Sequence, residues 1–352
     1  MNARTKYDRL EFIDCARGIG ILLVVIAHHL QNSESVLWWI YSFHMPLFFL
    51  ISGYLYQHLD RKHTNLKETI VAGVKSFLWP YFTFNVIIVL WWLLLKIVVG
   101  AQPEESMWNI ILRFLTTYGY HALWFLPTLF EVSTVSKTIK MQKRWILLGI
   151  SVCIGFVLSC LIDSTSLIGR YWKYIAMYIG RFMLGLSFIE IGRYAYILDK
   201  KISENKEWLV LAGALCISFL FYDDNILVFM VFCRIGNVFL YYLNAVAGSI
   251  AILLIAKKVC TSWIGKKICF WGKNSLIVMS THMDISIEIA WIVVGITKIN
   301  KFLTLRDASV VAILIELIVL ICIVKLINRY AKMIIYFPDQ CENILNNKWR
   351  KS

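Results

Sequence analysis

Three imidazoles, a guanidinium and a carboxylate stand inside apolar runs of this 352-residue chain, where such groups are costly. The first run reads Phe12-Ile-Asp14-Cys-Ala-Arg17-Gly-Ile-Gly-Ile-Leu-Leu-Val-Val-Ile-Ala-His28-His29. At about 100° per residue, Arg17 and His28 return to within about 20° of one helix face, and Asp14 falls within about 40° of it. The three form a polar stripe about 20 Å long. His44 lies in the second run, about 12 Å below the outer surface, and His282 in the ninth, about 12 Å in from Asn274, so the three imidazoles can converge. An imidazole titrates near neutrality and suits general-base work. Its plainer role is a hydrogen bond between helices. Arg17 keeps its proton and therefore needs an anion. Asp14 at i−3 can supply it, and so can a phosphate or other anionic group arriving from the cytoplasm. His29 points about 100° off the stripe and reads as a packing or interfacial group.

The elements that must position these groups are membrane helices. Hydrophobic residues make up 59% of the chain and charged ones only 16%, against about 25% in a soluble domain. A span takes about 20 apolar residues, and runs at roughly 12–31, 36–56, 78–99, 119–137, 145–162, 174–195, 207–222, 236–256, 274–296 and 307–330 qualify. The expected fold is all-α and integral to the membrane, with about ten transmembrane helices and no soluble domain. It forms one domain over residues 1–352, with its motifs within about 9–335. Segment 107–117 is short and amphipathic and suits the interface, while 225–234 reads as a re-entrant piece or an extension of the eighth span.

The net charge of +14 resides in short loops, and alternate loops are basic. Arg61, Lys62, Lys67 and Lys75 are followed by Lys137, Lys140, Lys143 and Arg144, then by Arg193, Lys200, Lys201 and Lys206, then by Lys257, Lys258, Lys266 and Lys267. This pattern puts both termini in the cytoplasm of a multi-pass protein of the plasma or inner membrane. Loop charge of this kind favours the anionic heads of the lipid bilayer and speaks against a nucleic-acid partner. The N-terminal run carries Asp14 and Arg17 and lacks a small-residue cleavage site, so it reads as a retained first span. Nine cysteines without a CxxC suggest neither a disulfide framework nor a metal site.

Trp124 follows His121 in the fourth run, where a lone ring is usually a belt residue. Glu131, Arg181, Glu190, Arg234 and Glu316 are further charges in apolar surroundings. Arg181 and Glu190 lie on opposite sides of one helix, so each needs a partner from elsewhere. The chain has no P-loop, G-x-S-x-G or H-E-x-x-H. The lack of an internal repeat weighs against a transporter of inverted halves.

Four segments in order carry a family resemblance. The opening Arg9-Leu-Glu-Phe-Ile-Asp14-Cys-Ala-Arg17-Gly-Ile-Gly, with its Arg17-x10-His28 spacing, resembles the first span of the acyltransferase family 3 membrane proteins. Phe43-His44-Met-Pro-Leu-Phe-Phe-Leu-Ile-Ser-Gly-Tyr, Leu123-Trp-Phe-Leu-Pro127 and Gly272-Lys-Asn-Ser275 with His282 resemble later signatures. The closest flavour is the fucose 4-O-acetylase-like branch of sugar and polysaccharide O-acetyltransferases.

The resemblance implies transfer of acetyl from cytoplasmic acetyl-CoA, a substrate rather than a bound cofactor, to a hydroxyl of a carbohydrate or lipid-linked glycan. His28 would be general base or transient acyl carrier, with Arg17 and Asp14 in the catalytic set. His44, Trp124, Asn274, Ser275 and His282 would orient the acceptor or stabilise the oxyanion. Donor contacts would fall to Arg17, Lys67 and Lys75, because the Arg-x-x-Arg that many members place before the third span is replaced by Lys75-Ser-Phe-Leu-Trp-Pro80. The alternative is a polysaccharide or lipid-linked sugar exporter or flippase in which the stripe lines a pathway without acyl transfer.

Overall fold

The computed structural model describes residues 10–30, 34–59, 65–100, 106–119, 121–139, 144–163, 170–297 and 305–338. Lys140, Lys143, Arg61 and Lys62, and the N- and C-terminal tails, lie outside them. Helices account for almost all regular structure, and no strand occurs among the described residues. The stripe helix is α1 (Glu11–Ala27), followed by α2 (Glu34–His58). Then α3 (Leu66–Gly73) runs through a π-turn at Val74–Leu78 into α4 (Trp79–Val99). The short α5 (Met107–Leu115) is amphipathic and leaves Trp108 and Leu115 exposed, as an interfacial helix would. A 3₁₀ turn at His121–Trp124 leads into α6 (Phe125–Thr138). Next come α7 (Arg144–Asp163), α8 (Arg170–Asp199), α9 (Glu204–Leu220) and α10 (Val238–Val259). The chain then forms α11 (Trp263–Lys273) and α12 (Ser275–Thr281), a second π-turn at His282–Ser286, α13 (Ile287–Ile296) and α14 (Leu305–Tyr330).

Among the described residues, seven helical stretches are long and apolar enough to cross a membrane, including Ser35–His58, the 34-residue Leu66–Val99 and Ala308–Tyr330. Three elements expected as spans are shorter: α1, α6 and α9 have 17, 14 and 17 residues. At about 1.5 Å per residue none of these three covers a hydrocarbon layer of about 30 Å unaided. The segment expected as a re-entrant piece or an extension is an irregular loop. Asn225 pins it by accepting from the backbone N–H of Ile226 and Asn237, both at 2.9 Å, and donating to the Ile235 carbonyl at 2.9 Å. Gly236 closes the loop with φ +62°, the left-handed region that glycine enters without cost.

Two helix crossings set the positions of α1 and α2. At the α2/α8 crossing, a methyl on Gly53 would come within 1.9 Å of the Ile189 carbonyl oxygen, and one on Gly192 within 2.0 Å of that of Leu50. At the α1/α11 crossing, Gly18 meets the Ile268 carbonyl and Gly272 meets that of Asp14 in the same reciprocal way. Apolar side chains gain nothing by leaving lipid for one another, so close backbone approach at small residues is what packs such helices. Residues 257–273, expected as a basic loop, contain a helix. This helix, α11, is capped by Ser262, whose hydroxyl accepts from the Gly265 N–H at 3.0 Å.

Candidate active site

One cavity of about 430 Å³ gathers three of the residues singled out above, His28, His44 and Trp124. Along α1 its lining recurs as Ile21, Val24 and His28, one face at helical spacing. From α2 come Tyr41, His44 and Met45, from the 3₁₀ turn His121 and Trp124, and from the Asn225-pinned loop Val228 to Phe232. His28 stacks obliquely on His282 with ring centroids 5.2 Å apart and stands 6.4 Å from Tyr41, which in turn is 4.8 Å from His44.

Backbone carbonyls orient two of these rings. His44 Nδ1 lies 3.0 Å from the Ile40 carbonyl oxygen, and His282 Nδ1 lies 2.9 Å from that of Met279. A carbonyl only accepts, so both rings carry their proton on Nδ1 and their lone pair on Nε2. The His282 Nε2 is buried and without a hydrogen-bond partner. That buried nitrogen, on the ring packed against His28, is free to accept a proton or a ligand group.

His121 and Asp284 were not among the expected site residues, yet they form the best-defined pair in the cavity wall. His121 Nδ1 donates to Asp284 Oδ1 at 2.9 Å, and Trp92 Nε1 approaches the same oxygen at 3.4 Å. The turn that presents His121 is strained, with positive φ at Thr117 (55°), Gly119 (84°) and His121 (43°). Its surroundings over-determine it. Arg181, 1% exposed, donates to the Tyr118 carbonyl at 2.7 Å and the Thr117 carbonyl at 3.4 Å, and the Tyr81 hydroxyl donates to the Phe114 carbonyl at 2.9 Å. A methyl on Gly119 would fall 2.3 Å from Trp124 Cα, so this turn admits only glycine there. The signal in the sequence was an ionisable residue in each of two apolar runs, and nothing in helical spacing joined them.

A second cavity, of about 200 Å³, is lined by Arg17, Ser52, Tyr56, Ser76 and Lys137. Lys137 Nζ stands 4.2 Å and Arg193 Cζ 5.6 Å from the Tyr56 ring centre. Behind them Glu190 accepts from Arg144 Nη1 at 3.1 Å to both oxygens and from Ser136 at 2.5 Å. Arg17 and Lys137 bring two cationic side chains to this lining, which suits an anion. Lys137, known from the sequence only as a loop base, belongs to this lining.

The two cavities share the α1 and α2 segments, with Arg17 and Ser52 in the second and His28 and His44 in the first, while Leu129 of α6 lines the second and Trp124 of the preceding 3₁₀ turn the first. Between them Phe49 and Phe48 meet Phe125 with centroids 4.8 and 6.0 Å apart. Gly20 leaves room for this aromatic collar, since a methyl there would lie 3.2 Å from the Phe48 ring.

Other expected site residues lie elsewhere. Asp14 is buried beside α11 and lines neither cavity. Asn274 joins α11 to α12, donating to the Phe270 carbonyl at 2.8 Å and accepting from Asn328 at 2.7 Å, and Ser275 opens α12. Lys67 is exposed in the first turn of α3, and Lys75 sits 5.2 Å from the Phe337 ring centre. His29 pairs with Glu316 at 2.5 Å inside the protein and joins α1 to α14. Of the remaining intramembrane charges, Glu131 accepts from the Tyr178 hydroxyl.

A family model described as an acyltransferase domain matches residues 10–327, which takes in both cavities and the collar. The chain belongs to acyltransferase family 3. No curated protein and no solved structure matches it. Membership makes this a membrane acyltransferase.

Proposed function

We propose that this acyltransferase moves an acetyl group from cytoplasmic acetyl-CoA to a hydroxyl of a cell-surface sugar, polysaccharide or lipid-linked glycan. The observation that carries the reading is the pair of cavities along the same α1 and α2 segments, cationic at Arg17 and imidazole-lined at His28. The eleven positions from Arg17 to His28 rise about 16 Å, and the pantetheine arm of coenzyme A reaches on the order of 15–20 Å. The donor's phosphates would meet Arg17 and Lys137, and its thioester would end at His28, which acts on the reacting carbonyl or hydroxyl. Lys67 and Lys75 would guide the polyanion at longer range. In this reading α1, α6 and α9 complete ten crossings of the plasma or inner membrane with both termini in the cytoplasm, so the acceptor enters from outside.

The test is thiol release. Purified protein in lipid nanodiscs, given acetyl-CoA and membranes containing the host glycan, is expected to liberate free thiol and to label the glycan. A protein that moved glycan between leaflets with no thiol released would be an exporter instead. Arg17→Lys keeps the charge and loses the forked donor geometry, so it is expected to raise the KM for acetyl-CoA about tenfold with little change in kcat. An unchanged KM would mean that Arg17 serves the fold.

A further inference from the structure

We infer that His121, oriented by Asp284, is the group that removes the proton from the acceptor hydroxyl. This rests on the acyl-transfer reading and divides the labour inside the same cavity. A general base must become an imidazolium in the transition state, and that charge needs an anion beside it. No carboxylate is among the described residues lining the cavity, and Asp284 stands directly behind His121, 2.9 Å from its Nδ1. His44 and His282 donate from Nδ1 to neutral carbonyls, which offset a new charge far less well than a carboxylate does. The carboxylate also sets the tautomer: with Nδ1 carrying the proton, His121 presents a lone pair at Nε2 on the side of the ring remote from Asp284. The strained turn, held by Arg181 and Tyr81, spends conformational freedom to place this ring.

The step balances as follows. The hydroxyl proton passes to His121 Nε2 while the hydroxyl oxygen bonds to the thioester carbonyl carbon. The carbon–sulfur bond then breaks, and the departing thiolate takes the proton back from the His121 imidazolium, leaving an ester and a free thiol. Asp284 is a positioning residue that steadies the transient charge. His28 is thereby left to hydrogen-bond the carbonyl oxygen as it becomes negative.

The experiment uses host membranes carrying the full chain, labelled acetyl-CoA and the host's own glycan, with rates taken per folded molecule from a fluorescent fusion on size exclusion. His121→Gly is expected to lose at least about 10²-fold in transfer and to regain activity when imidazole is added. Asp284→Asn, nearly isosteric, is expected to lose at least about tenfold in kcat with the KM for acetyl-CoA unchanged, because an amide neither fixes the tautomer nor balances the charge. His121→Gly at the wild-type rate, or a loss that imidazole does not restore, overturns the assignment. Rescue of His28→Gly instead would transfer the role to His28. Wild-type membranes that label no glycan would overturn the acyl-transfer reading itself.

Discussion

His28→Ala is expected to lower acyl transfer by about 10²–10⁴-fold while the protein reaches the membrane in normal amount. The ring is surrounded by the centroids of His282 at 5.2 Å and Tyr41 at 6.4 Å, and its truncation enlarges an existing cavity without leaving a charge unpaired. Stability therefore falls by the modest cost of lost packing, about 1–3 kcal/mol. His28→Gln should recover part of the loss, because an amide N–H still reaches a developing oxyanion. Single-turnover labelling at saturating acetyl-CoA separates the outcomes. Wild-type turnover in His28→Ala would remove His28 from the chemistry, and equal losses in Ala and Gln variants would mean that an amide donor does not suffice.

Gly53→Ala is expected to damage the fold more than any single change in the cavities. Its methyl would sit 1.9 Å from the Ile189 carbonyl oxygen, and neither backbone can give way without separating α2 from α8. The cost should be about 3 kcal/mol or more, read as loss of the monodisperse peak or a lowered melting temperature in detergent. Gly149→Ala and Gly213→Ala supply the controls. Nothing lies within 4 Å of a methyl at either position, and alanine is the better helix former by about 1 kcal/mol. Those variants should be neutral or slightly stabilised. If Gly53→Ala matched them, the close crossing would not be what holds α2 in place.

The legible and illegible parts of this site divide along a physical line. Arg17, Ile21, Val24 and His28 share a face because α1 is regular, so 100° arithmetic found the stripe and aimed it. Arg17 and His28 still open into different cavities, and Asp14 turned toward α11. Spacing reports a face and not what packs against it. The His121–Asp284 pair was hidden because each partner sits where helical phase fails, one on a turn with positive φ and one in a π-turn. Asn274, singled out by motif, stands at a helix junction, bonded to Phe270 and Asn328. The helix α11 was read as loop because its buried face is Gly265, Cys269 and Gly272, which give almost no hydropathic signal among lysines. Motif glycines belong to the same lesson. Gly18, Gly53 and Gly272 fall inside segments that resemble family signatures, and the structure spends them on helix crossings.

The collar of Phe48, Phe49 and Phe125 bears on the membrane's electrical load. Imidazoles at one end and arginines at the other, joined by a continuous file of water, would make a proton wire. Each charge crossing 100 mV dissipates about 2.3 kcal/mol, a constant drain on a cell that holds a potential. Three packed rings give water no partners and break the wire by dewetting. A neutral, flexible thioester arm needs no hydration to pass beside them. On the proposed reading, the collar would be an insulator that lets an acyl group pass beside it while remaining silent as a conductor.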